Sequence, residues 1–322
     1  MTRRSLLLLL AGAVAWPVSI QAQQQRRKYR IGVLETVARA ENLNNFNALV
    51  DGLHELGYVE GHAFEFEYRS AAGRSELFPQ LSAELVASGV DLIITRGTPA
   101  AQAAKEAAGN IPVVMAAIGE AGIVADLVKS GKVTGLSALV TELAGKRVQL
   151  IREMNPVTTR FALMHNMGNA AVPPQWQETK KAAQALGVDA VLFDVRSPED
   201  IEKAFRGAAA NGVEVIALGI DGLFQAYRGT IIDLARDYKV PVIYSSREFV
   251  DEGGLISYGI SYRDLYFRAA GFVDKILKGS KPSDLPVEQP TKFEMIVNLK
   301  TAKALGFRLR DQFISRADEV IE

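Results

Sequence analysis

The chain contains no cysteine. Disulfides, a cysteine nucleophile, thiolate metal sites and a lipid-bearing N-terminal cysteine are therefore all excluded. Histidine is scarce. His54, His62 and His165 fall on a helix, in a turn and at a strand end, which suggests no metal cluster. Charge of one sign is lacking too. Lys+Arg and Asp+Glu are both 37, so there is no basic field to hold nucleic acid and no acidic tail. No GxGxxG, no P-loop, no G-x-S-x-G elbow and no metal motif is present. Carboxylate pairs such as Glu199/Asp200 and Asp251/Glu252 read as solvated faces, and nothing couples a nucleophile to a base. No catalytic residue, metal or cofactor is expected, and the chain does not read as an enzyme.

One apolar run stands out, Leu6 to Ile20, behind Arg3 and Arg4 and ahead of Gln21 and Ala22. That order is the one of an export signal. The run is about 15 residues and contains Pro17, short for a membrane span. Residues 1–22 are therefore expected to be a signal peptide cleaved after Ala22. The paired arginines also loosely fit a twin-arginine signal. Cleavage takes away two arginines and no acid, leaving a faintly acidic mature chain. With neither span nor lipid anchor, it is expected free in a periplasm.

The 322 residues, 48% hydrophobic and 23% charged, suffice for two ordinary domains. Apolar strands alternate with helices of 3.6-residue period. Strands are expected at Tyr29–Leu34, Val90–Thr95, Ile111–Ala117, Arg160–Met164, Asp189–Val195, Val213–Leu218 and Val240–Tyr244. Phe64, Phe66 and Tyr68 alternate with Glu65 and Glu67, a half-buried strand near a sheet edge. Such alternation gives parallel sheets with helices on both faces. The polar stretch from Pro241 to Gly259, broken by Gly253-Gly254, reads as two short strands in different domains with the segment between them crossing a cleft. Val133–Ser137 and the Pro-rich Leu285–Pro290 read as two further crossings. The expected fold is α/β, with two Rossmann-like lobes carrying parallel sheets and joined by three hinge crossovers. Lobe 1 is expected over 29–136 plus 250–284, and lobe 2 over 137–249 plus 285–322.

In parallel α/β sheets, ligands sit beyond the C-terminal ends of strands, where helix N-termini present free N–H groups. Candidate site residues are thus those just after strands. Gly97 lets the backbone approach closely, and Thr98, ahead of Pro99, either caps a helix or holds a ligand carboxylate. Arg96 reads as a partner of that carboxylate or a solvated surface residue. His165, Asn166 and Asn169 form a polar loop with donors and acceptors. Asp221 either caps the next helix or accepts from a ligand amino group, and Phe224 is either an aromatic wall or core. Ala117, Ser137, Ser246 and Tyr258 complete the candidates at strand and crossover ends.

Leu56 to Gly61, Gly97 to Ala104, Val133 to Gly135, Pro241 to Gly259, Ile276 to Gly279, Leu285 to Glu294 and Asn298 to Gly306 together resemble the ABC-transporter substrate-binding protein family that includes TrpX-like proteins. The resemblance runs over nearly the whole mature chain. It implies a type I periplasmic-binding-protein fold with the ligand in the cleft between lobes. It also implies amino-acid or aromatic-carboxylate binding, a monomer, hinge closure and delivery to an ABC permease. A ligand-sensing domain acting on a membrane receptor is the alternative. The chain departs from the family pattern at Ile118-Gly119-Glu120, where an Asp-Pro pair is common, and at His165-Asn166, where an Asn-Pro start is usual. Both departures touch the implied pocket.

Overall fold

The structure, a computed structural model, describes residues 28–138 and 140–322. The expected export signal, residues 1–22, lies outside the described residues.

The first lobe is built from β1 (Tyr29–Glu35), α1 (Leu43–Glu55), β2 (Phe64–Ser70), α2 (Phe78–Ala87), β3 (Leu92–Arg96), α3 (Thr98–Ala107), β4 (Val113–Ile118), α4 (Ala121–Val128) and β5 (Val133–Ser137). Its strands are all parallel in the order β2-β1-β3-β4-β5. The alternation in β2 has its expected consequence. Phe66 packs edge-on against Phe46 of α1 at 4.8 Å between ring centroids, while Glu65 and Glu67 meet Lys28 and Arg30 on the other face. β2 is the edge strand.

The second lobe follows with α5 (Val140–Met154), β6 (Arg160–His165), α6 (Val172–Ala185), β7 (Asp189–Asp194), α7 (Pro198–Ala210), β8 (Val215–Leu218), α8 (Gly222–Ala226), α9 (Arg228–Asp237), β9 (Val242–Tyr244), α10 (Arg247–Asp251) and β10 (Ile256–Ile260). Helix α11 (Tyr262–Leu277) comes next, then β11 (Phe293–Asn298), α12 (Leu299–Ala304), α13 (Asp311–Ile314) and β12 (Glu319–Ile321). The sheet order is β12-β11-β10-β9-β8-β6-β7, with β10–β11 the one antiparallel pair. The Ser197–Asp200 capping box with Pro198 in the first turn starts α7.

The chain passes between lobes three times, but two boundaries differ from those read in the sequence. Residues 256–260, assigned to lobe 1, are hydrogen-bonded into the second sheet between β9 and β11. The polar stretch after β9 is the five-residue helix α10, and β9-α10-β10 is a compact crossover inside one sheet rather than a bridge over the cleft. The crossing comes later, at Ser261. There α11 returns to lobe 1 and buries Leu265, Tyr266, Ala269 and Val273 in its core. Gly52 of α1 permits the close approach of α11, since a Cβ there would stand 2.6 Å from the Phe267 carbonyl oxygen. Residues 285–288, assigned to lobe 2, run beside β5. Ser137 N donates to Glu288 O at 2.8 Å, and Glu288 N to Gly135 O at 3.0 Å. Gly135 has φ +131°, and a Cβ would lie 2.2 Å from Met115 O, so only glycine fits at this edge. No helix among the described residues is long and apolar enough to cross a membrane.

Candidate ligand-binding site

Between the lobes, at the C-terminal ends of the strands, lies a cavity of about 580 Å³, counted to include the space at its open mouth. Lobe 1 and α11 contribute Thr36, Arg96, Gly97, Thr98, Ala117 and Tyr262. Asn169, Gln175, Asp221, Gly222 and Gln225 line it from the second lobe. Phe78, Ala138, Val140 and Ile220 give it an apolar stretch.

Asp221 caps α8, with Leu223 N donating to Oδ1 at 3.0 Å. Asn166 Nδ2 donates to the same oxygen at 3.3 Å, and Asn169 Nδ2 to Oδ2 at 2.9 Å. All three donors are neutral. Burial pushes the carboxyl above its ordinary range, with the bonds from Asn169, Leu223 and Asn166 pulling back only in part. A carboxylate so placed is under-compensated, and a cationic donor would complete it.

Thr98 faces it from the other lobe. Gly97 takes φ +85° to turn β3 into α3, and Pro99 follows in the first helical turn. The first turn of a helix has N–H groups without intrahelical partners. Thr98 Oγ1 is buried with no hydrogen-bond partner, whereas the Thr36 and Gln175 side chains act on Glu35 and His165. The Gln175 amide is oriented by Nε2 donating to Ala171 O at 2.7 Å. Buried polar atoms are nearly always bonded, so the Thr98 hydroxyl on the cavity wall marks a place for a polar ligand.

A charged cluster stands at the hinge. Arg96 is 5% exposed, not the solvated residue expected. Its Nη1 donates to Asn42 Oδ1 at 3.1 Å and its guanidinium lies 4.2 Å from the Tyr262 ring centroid. Burial pushes Glu35 up to about 7 despite the nearby Arg96 charge, and Tyr266 Oη and Asn42 Nδ2 donate to that carboxyl. Glu248 from α10 also feels burial, but Arg96 and hydrogen bonds from Ser246 and Asn45 outweigh it and hold its pKa low.

Of the residues singled out in the sequence, Gly97, Thr98, Ala117, Asn169 and Asp221 line the cavity. Asn166 stands behind Asp221 as its donor. The others lie elsewhere. Phe224 is core, 1% exposed among Ile201, Leu218 and Phe249. His165 lies under Gly219, where an added Cβ would meet its ring at 2.2 Å. Ser246 accepts from Gln225 Nε2 at 2.9 Å, one layer behind the cavity. Ser137 pairs along β5 with Glu288, and Tyr258 bridges the apolar clusters of the two lobes. The cavity residues Thr36, Gln175, Gln225 and Tyr262 were not found from the sequence. Tyr262 does follow a strand end, the signal that found Thr98. Gln175 lies in the first turn of α6, behind Pro173 and Pro174, and does not directly follow a strand.

A cleft between two α/β lobes, with the unpaired Thr98 hydroxyl on one side and the Asp221 carboxylate on the other, is the build of a type I periplasmic binding protein. The chain belongs to the ABC transporter substrate-binding protein family, whose family model matches residues 30–321. It is 24% identical over 287 residues to the tyrosine-binding protein of Clostridioides difficile, covering 88% of this chain and 82% of that one. It is 29% identical to an ABC domain in complex with L-Trp from Streptococcus pneumoniae, covering 91% of this chain and 100% of the other, with a TM-score of 0.82. A conserved domain protein from Vibrio cholerae is 27% identical at a TM-score of 0.83, again covering 91% and 100% of the two chains.

Proposed function

We propose that this protein captures an amino acid with an aromatic side chain in the periplasm, acting as a monomer, and delivers it to an ABC permease. The observation that carries the reading is Asp221: a buried carboxylate on the cavity wall, held by three neutral donors and no cation. An α-ammonium group supplies the missing positive charge. Thr98, with its orphan hydroxyl at the head of α3, meets the α-carboxylate from the opposite lobe. The side chain lies along Phe78, Val140 and Ile220. Supporting the choice of ligand are the relatives, one described as tyrosine-binding and one solved with L-Trp.

Capture proceeds by hinge closure. A ligand that touches Thr98 in one lobe and Asp221 in the other binds the closed arrangement better than the open one, and so shifts the population toward it. The permease then reads the closed form. The test is a thermal-shift screen of amino acids, sugars and nucleosides on the mature protein. Aromatic amino acids are expected to raise the melting temperature with increasing concentration. A rise with sugars or nucleosides alone would refute the reading.

A further inference from the structure

A second buried charge in lobe 2 lacks a partner. Arg147 on α5 is 4% exposed. Its Nε donates to the Tyr258 carbonyl at 3.1 Å, but its Nη2 is buried with no hydrogen-bond partner. The titratable groups that act on it are the hydroxyls of Tyr262 and Tyr258, and no carboxylate among the described residues pairs with it.

Its place in the fold is informative. Nη2 stands 3.9 Å from where a Cβ on Gly259 would be, and that point is 2.1 Å from Ser245 O. Arg147 therefore sits where β9 and β10 end, on the sheet edge that faces the cleft. Tyr262, its electrostatic neighbour, lines the cavity. His165, at the end of β6, feels the Arg147 charge and lies beside Gln175. Burial, then Arg147, push that imidazole down to about 3, so it stays neutral and offers no compensation either way.

Among the buried charges of lobe 2, Asp221 and Arg147 have no partner of opposite charge. Asp221 has only neutral donors, and Arg147 has only a carbonyl acceptor. Asp221 and Tyr262 line the cavity, and Arg147 acts on Tyr262 from behind that lining; isolated buried charges are costly, and two of opposite sign so placed are complementary to a zwitterion. We propose that Arg147 is the lobe-2 counter-ion for the ligand's carboxylate, so that Asp221 and Arg147 read the two charges of one amino acid. Thr98 then holds the carboxylate from lobe 1 while Arg147 neutralises it from lobe 2. This rests on the amino-acid reading given above.

The test compares calorimetric affinities for L-tyrosine and L-tyrosinamide in the parent protein, Arg147→Gln and Arg147→Lys. Glutamine keeps a donor for the Tyr258 carbonyl and removes the charge; lysine keeps the charge. The parent is expected to prefer the acid over the amide by roughly 100-fold, the scale of truncating one partner of a buried charge pair. R147Q is expected to lose most of that preference, and R147K to retain part of it. The melting temperature of ligand-free R147Q is expected to equal or exceed the parent's, because an unpaired buried charge is gone. An acid-to-amide ratio in R147Q equal to the parent's overturns the inference and leaves the amino-acid reading standing. If neither L-tyrosine nor L-tryptophan binds the parent, both fall together.

Discussion

Asn45 Nδ2 in α1 donates to Glu248 Oε1 in α10 at 2.7 Å, a hydrogen bond made directly from one lobe to the other. It ties α1 of lobe 1 to α10 of lobe 2 beside the buried Arg96, which acts on the same Glu248 carboxylate. If binding proceeds by hinge closure as proposed, this bond is the side-chain contact between lobes that closure would use.

Asn45→Ala is expected to weaken ligand binding by five- to tenfold, the equivalent of about 1 kcal/mol for one net hydrogen bond. Lobe stability should change little, because Glu248 keeps the Arg96 charge nearby. Titration calorimetry reads the affinity, and small-angle scattering reads the expected shift toward a more open ligand-free form.

Asp221→Asn keeps the size of the side chain and an acceptor for Leu223 N. It removes the only buried negative charge on that wall of the cavity. Affinity for an aromatic amino acid is expected to fall by roughly 100-fold or more, as when one partner of a buried pair is lost. The ligand-free melting temperature should hold or rise, since burial already works against the carboxylate.

Phe224 separates packing from binding. Phe224→Ala is expected to cost about 3–5 kcal/mol of stability, the range for removing a buried phenylalanine. Phe224→Leu is expected to keep most of the stability and the ligand affinity. Denaturant unfolding and titration on the two variants check this. A loss of affinity in a well-folded Phe224→Leu would restore the aromatic-wall reading.

Glu35 gives stability a pH dependence. Its folded pKa is raised from 4.5 to about 7, so the folded state binds more protons than the unfolded one between those values. Its contribution is fully present below about 4.5 and is lost as pH rises through 7. Burial raises it, and Arg96, the Thr36 backbone and side chain and Asn42 pull it back only in part, with the Tyr266 hydroxyl bonded to the same carboxyl. Denaturant unfolding between pH 4.5 and 7.5 should show stability falling by up to on the order of 3 kcal/mol from this group. Glu35→Gln should flatten that fall.

What the sequence made legible was local. Gly97-Thr98-Pro99 announces a strand-to-helix turn within three residues, and Asp221 sits in the capping position that its spacing suggests. β2 shows its edge position in its own alternation. Long-range pairing was not legible. β10 belongs to lobe 2 because β9 and β11 flank it, and α10 is too short to carry a helical period. Arg96 looks solvated in sequence because Asn42, Glu35 and Glu248, which surround it, come from two distant segments. Arg147 in the middle of α5 and Gln175 in the first turn of α6 are polar helix residues, indistinguishable by spacing from those that face solvent. Only the assembled lobes show that their side chains are buried, and that the Arg147 charge has no anionic partner.

The measurement that tests the account most directly is a pair of titrations of the mature protein, one with L-tryptophan and one with 3-indolepropanoate, which lacks only the amino group. Binding is read by calorimetry and by Trp176 fluorescence, since that indole lies on α6 next to the cavity residue Gln175. The expected result is one site for L-tryptophan and at least roughly 100-fold weaker binding of the des-amino acid, because Asp221 then meets no cation. Equal affinities, or binding of neither, would contradict the assignment of Asp221 as the ammonium site and with it the central claim.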